Sequence, residues 1–119
     1  MVRSLPFVMI VCAGPALAEV YAPVKDESAF RSVVDGRELR YGMFGIWLEI
    51  SLDGRINGEA LGSQVTGTWA WREGYFCREM DWSGMAIPYN CQLVEVQDGQ
   101  LLRFTTDRGA GQSAAFALK

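Results

Sequence analysis

From Arg37 to the C-terminus, apolar and polar residues alternate with a period of two, and turn dipeptides interrupt the alternation at the spacing of an antiparallel meander. Ile46, Leu48, Ile50 and Leu52 alternate with Trp47, Glu49 and Ser51, the pattern of a half-buried strand, before Asp53-Gly54 turns the chain. Strands are predicted over 55–60, 64–72, 75–81, 90–97, 100–106 and 113–118, the second carrying Val65, Trp69 and Trp71 on one face. Glu73-Gly74 and Asp98-Gly99 supply tight turns, and 107–112 a glycine-containing loop. A two-residue turn at Glu73-Gly74 pairs Trp71 with Phe76; a three-residue loop with a glycine bulge pairs it with Tyr75 and reverses the faces of the next strand.

One segment has helical periodicity instead. Over 26–35, Phe30, Val33 and Val34 form an i, i+3, i+4 stripe behind a capping Asp26 and a dipole-favoured Glu27, and Gly36 can end the helix in a left-handed conformation. So short a helix is marginal alone, so its stripe must pack on something. The predicted fold is mainly β: a small antiparallel meander of seven or eight strands forming a barrel or strongly bent sheet, with one short N-terminal helix plugging an end.

Residues 1–18 read differently. Arg3, the apolar run from Leu5 to Ala13 and Ala16-Leu17-Ala18 have the charge, apolar core and small-residue cleavage site of a secretory signal peptide. Pro6 and Pro15 break a run already short of the roughly 20 apolar residues that span a bilayer, so no stable membrane insertion is expected. The expected organisation is a signal peptide at 1–18, an extended lead-in at 19–25 containing Pro23, and a single β-rich domain at 26–119, exported to the periplasm or secreted. The formal net charge of −3 becomes one unit more negative once Arg3 leaves, and the charges are scattered rather than blocked. This pattern gives neither a nucleic-acid footprint nor an anionic-membrane patch.

Of the three cysteines, Cys12 leaves with the leader, so Cys77 and Cys91 form an even pair in an oxidising compartment and are predicted to be disulfide-bonded. The chain has no histidine, which removes His-dependent nucleophile systems and His-ligated metals; no metal site and no cofactor are expected. Glu49, Glu59, Glu79, Asp81 and Glu95 lie on strands or at their ends and read as solvated outward positions. Carboxylate-based catalysis would need two inward acids sharing a cleft, for example Glu79 with Glu95.

The stretch 82–89 is long for a hairpin loop and unusually apolar. Trp82, Met85, Ile87 and Tyr89 are therefore the candidate binding residues, either shown to water as a recognition loop or folded over an open barrel mouth.

Gly67-Thr-Trp-Ala-Trp, then Gly74-Tyr-Phe-Cys77, then Tyr89-Asn-Cys91 resemble a group of short secreted alphaproteobacterial proteins often labelled dihydrodipicolinate reductase. The resemblance spans most of the chain after the leader and implies export. Reductases of that name have a Rossmann glycine fingerprint and a histidine-rich catalytic segment; this chain has neither, so no catalytic residue is carried over. The function expected from the residues is a non-enzymatic module binding a protein or a small apolar ligand, with a carboxylate-based enzyme or a reductase as alternatives. An enclosed apolar cavity would mark a ligand carrier, and a filled core with an exposed patch a protein-binding module.

Overall fold

The computed structural model describes residues 20–42 and 45–119, together with Pro6; the rest of the predicted leader, Cys12 included, lies outside the described residues. Among the described residues nine strands and one α-helix follow one another in the order β1 (Ala22–Val24), α1 (Glu27–Val34), β2 (Glu38–Tyr41), β3 (Ile46–Ile50), β4 (Arg55–Ala60), β5 (Ser63–Arg72), β6 (Tyr75–Trp82), β7 (Met85–Gln97), β8 (Leu101–Thr105) and β9 (Ser113–Leu118), with a 3-10 turn at Asp107–Gly109. Every pairing is antiparallel, each strand from β2 to β9 pairs with its sequence neighbour, and β9 returns to β2. The result is a closed eight-stranded up-and-down barrel. Closure removes the free edges that an open meander of this length would expose.

The lead-in belongs to this body. Residues Ala22–Val24 pair with Val94–Val96 of β7, beside the end of the barrel, and Pro23 is tolerated there because β1 is an edge strand. The Arg103 guanidinium stacks on the Tyr21 ring at 3.9 Å and donates to Glu95 at 2.9 Å, which fastens the strand from outside.

The Glu73-Gly74 turn settles the register of β6. Both residues have positive φ, +52° and +85°, as a two-residue type I′ turn requires, and Trp71 pairs with Phe76. Phe76, Arg78 and Met80 therefore face inward and Cys77, Glu79 and Asp81 outward.

Helix α1 closes one end. Phe30 is fully buried and packs with ring centroids 5.0 Å from Trp71, 5.4 Å from Trp69 and 5.1 Å from Phe76, while Val34 and Val24 are buried beside it. Asp26 occupies the N-cap position, but its carboxylate accepts the Ser28 hydroxyl instead of a helix amide, a correction to its predicted capping bond. Gly36 turns with φ +66° as expected. From the plug an aromatic column continues down the barrel through Phe76, Phe104, Phe116 and Tyr41, with successive centroids 5.2, 5.7 and 5.3 Å apart.

Arg55, Asn57, Glu59, Gln64, Thr66 and Thr68, six outward positions of β4 and β5, are exposed and polar, unlike the apolar band of a membrane-spanning barrel. No described helix is long and apolar enough to cross a membrane.

Candidate functional site

The stretch 82–89 is not a loop, which corrects the sequence expectation. Ser83 and Gly84, with φ +47° and +93°, make a second two-residue turn, and the Asp81 carboxylate accepts the Gly84 amide at 2.8 Å. Strand β7 starts at once at Met85, so the apolar residues lie on a hairpin. What hid the strand is a bulge. Arg78 pairs with Asn90 and Met80 with Ile87, leaving Pro88 and Tyr89 opposite Glu79 alone. Proline fits such a position because it has no amide to contribute to the ladder.

The four candidate binding residues consequently separate. Trp82 is half-buried and its indole N–H donates to the Ala60 carbonyl at 3.0 Å, which ties the hairpin to the end of β4. Ile87 is half-buried opposite Met80. Met85 and Tyr89 are exposed. The Tyr89 hydroxyl lies 3.4 Å from Cys91 Sγ.

Cys77 and Cys91 are bonded, directly opposite each other on β6 and β7 with Cα atoms 3.9 Å apart. The bridge sits on the outer face and pins the register one pair before the bulge begins. Arg78 is the inward neighbour of that bridge, and its Nη1 donates to the Pro88 carbonyl, exposed by the bulge, at 2.7 Å. The disulfide and the bulge thus hold one guanidinium inside the barrel.

Arg78 faces a cavity of about 400 Å³ that occupies the barrel interior toward the end opposite α1. Leu48, Ile50, Ile56, Met80, Phe104 and Phe116 supply much of its apolar wall. Polar groups come from Tyr41, Arg78, Gln92, Thr106, Gln112 and Ser113, with Gln112 and Ser113 exposed at the mouth and Gln92 more than nine-tenths buried. This combination, mostly apolar with a few convergent polar groups, is the ordinary composition of a small-molecule site, and its size falls within the roughly 300–1,000 Å³ of such sites. An eight-stranded barrel is about the width at which the interior is either filled by side chains or left with room for one small ligand.

Arg78 is the only charged residue on the described cavity wall, and it is 8% exposed. No carboxylate of a described residue lies within 4.0 Å of it, in contrast to Arg103 with Glu95 on the outer surface. Burial lowers its pKa by disfavouring the charged form, yet an arginine side chain remains protonated at neutral pH. A buried cation with one carbonyl partner is costly unless something else neutralises it.

The acids lie elsewhere. Glu49, Glu59 and Glu79 are exposed, Asp81 holds the 83–84 turn and Glu95 binds Arg103, so Glu79 and Glu95 do not share the inward cleft that carboxylate catalysis required of them. Among the described residues no three acidic or cysteine side chains converge on a point that could hold a metal.

Sequence reasoning missed Arg78 because it left the 73–74 turn open. Once Trp71 is set opposite Phe76, the alternation alone puts residue 78 inside, and an arginine on an inward face is itself a signal. Compared with known proteins, the chain matches no family model, no curated protein and no solved structure.

Proposed function

We propose that this chain is an exported, disulfide-stapled binding domain that takes a small, largely apolar ligand into the mouth of its barrel. The observation that carries the reading is the cavity of about 400 Å³ inside a barrel plugged at the other end by α1. The Cys77–Cys91 bridge and the signal-like residues 1–18 support periplasmic or secreted localisation, since such a bridge persists in an oxidising compartment. Membership of the short secreted group that the 67–91 motifs resemble is part of the same proposal.

The test is titration of the exported protein with N-phenyl-1-naphthylamine, an uncharged dye that brightens in apolar surroundings. Saturable binding at one site is expected, and Ala114→Phe, which fills the cavity from β9, should abolish it while the unfolding midpoint shows that the barrel persists. Absence of saturable binding, or binding indifferent to Ala114→Phe, overturns the reading. Titration with NADPH separates it from the reductase label, for which nicotinamide-cofactor binding is a minimum requirement.

A second reading, a protein partner bound at the β6–β7 hairpin, draws on the exposure of Met85 and Tyr89, 63% and 56%. Met85→Asp with Tyr89→Asp would then remove partner binding and leave dye binding unchanged.

A further inference from the structure

The cavity holds an electrostatic problem that the apolar-ligand reading does not address. Among the described residues its wall carries a single formal charge, the guanidinium of Arg78, a residue more than nine-tenths buried and without a carboxylate partner. One nitrogen is satisfied by the Pro88 carbonyl. The remaining guanidinium nitrogens are not sealed orphans: among the described residues the one fully buried side-chain polar atom without a partner is Gln97 Oε1, which does not line the cavity. Arg78 and Gln92 both line the cavity, and the Gln92 side-chain amide hydrogen-bonds to no described residue.

We infer that the ligand is an anionic amphiphile: a carboxylate received by Arg78 and Gln92, with an apolar remainder lying against Leu48, Met80 and Phe116. This rests on the barrel-mouth reading above and narrows it. A planar guanidinium offers parallel N–H donors that match a carboxylate, and Gln92 can donate one more hydrogen bond from an adjacent strand. The walls on either side are apolar, so a small hydrophilic anion would leave most of the cavity uncovered, whereas an alkyl or aryl carboxylate covers both parts. The protein's net charge is negative, so the preference comes from this one local group and not from a long-range field. The disulfide and the Pro88 bulge keep the guanidinium in place before a ligand arrives, which lowers the ordering cost of binding.

Octanoate, octanol and octyltrimethylammonium share one tail and differ in head charge, so calorimetric titration of the exported protein with all three at neutral pH tests the inference. Octanoate should bind at least about 10-fold more tightly than octanol, and the cation more weakly than either, as expected when a charge-assisted pair forms in a desolvated site. Arg78→Met should bring octanoate down to that variant's own affinity for octanol, with its unfolding midpoint showing that the barrel persists. Equal affinities of the parent for octanoate and octanol overturn the anion assignment and leave the apolar-ligand reading standing. A preference for octanoate that survives Arg78→Met overturns the role of Arg78. Failure of all three to bind overturns the anion assignment, and the dye titration then decides the apolar-ligand reading. Should Arg78→Met not fold, the three-ligand comparison on the parent protein decides the anion assignment by itself.

Discussion

Phe30→Ala is expected to be among the most damaging substitutions in the domain, because it removes the stopper from one end of the barrel. The Phe30 ring is fully buried and touches Trp69, Trp71 and Phe76, each with centroids between 5.0 and 5.7 Å of a neighbour in the cluster. A buried aromatic covers at least about 150 Å², which at about 25 cal/mol per Å² corresponds to about 4 kcal/mol. Truncations of Phe to Ala in cores cost about 3–5 kcal/mol, in agreement. The surroundings can collapse little, because Trp69 and Trp71 are anchored by indole N–H bonds to the Ser51 and Lys25 carbonyls at 2.9 and 3.3 Å. Domains of this size hold about 5–15 kcal/mol in reserve, so the loss is a large fraction of the whole. At about 4–8 °C per kcal/mol it corresponds to a fall in Tm of about 15–30 °C. Urea unfolding followed by tryptophan fluorescence measures it directly, with Val33→Ala, on the less buried flank of the helix, as the control expected to lose about 1 kcal/mol. A loss below about 1 kcal/mol for Phe30→Ala would falsify the plug, since the helix could then leave the barrel without consequence.

Two further outcomes are expected. Replacing Cys77 and Cys91 together by Ala should lower stability by about 3 kcal/mol, the chain-entropy value for a loop closed over a separation of 14 residues, and the denatured parent should show no free thiol from these two positions; two reactive thiols per chain in protein made in an oxidising compartment would contradict the pairing. Trp82→Ala should cost an intermediate amount, about 1–3 kcal/mol, because the ring is half-buried and its N–H bond to Ala60 joins the hairpin to β4; an unchanged unfolding midpoint would show that this contact holds nothing.

Much of the architecture was legible because local chemistry and long-range pairing agree in this chain. Turn dipeptides at Asp53-Gly54, Glu73-Gly74 and Asp98-Gly99 mark where strands end, and the alternation between them gives their number, whereas the i, i+3, i+4 stripe of Phe30, Val33 and Val34 marks the helix. Closure itself follows from twist accumulated over consecutive hairpins. Three features were not legible, each for a physical reason. Strand β1 has three residues and contains Pro23, so no local signal distinguishes it from a lead-in; its partner β7 supplies the ladder. The first part of β7 breaks the period of two because Pro88 and Tyr89 form a bulge, and an apolar run with a proline reads as a loop. The inward phase of β6 depended on whether the 73–74 turn held two residues or three. Of the four residues first chosen for the site none is on the cavity wall, although Ile87 pairs with Met80, which is.

That last dependence shows how much chemistry a single turn decides. With a three-residue loop at 72–74, the inward residues of β6 would be Tyr75, Cys77, Glu79 and Asp81, giving an acidic interior with the cysteine beside it; with the observed turn they are Phe76, Arg78 and Met80. The positive φ of Glu73 and Gly74 thus sets the sign of the charge inside the barrel. The two ends of the molecule then divide the work. Near the plug, inward positions are filled by Phe30, Trp69, Trp71 and Phe76, whose contacts supply cohesion. Toward the mouth, the space beside Met80 and Phe116 stays open and a cation stands at residue 78, where a methionine of similar volume would avoid the desolvation cost. A cation that costs desolvation energy where it stands, beside a bridge on one side and a bulge on the other, is difficult to explain as packing. It is simple to explain as the counter-charge of a ligand, which would neutralise the guanidinium and fill the space that the core leaves empty.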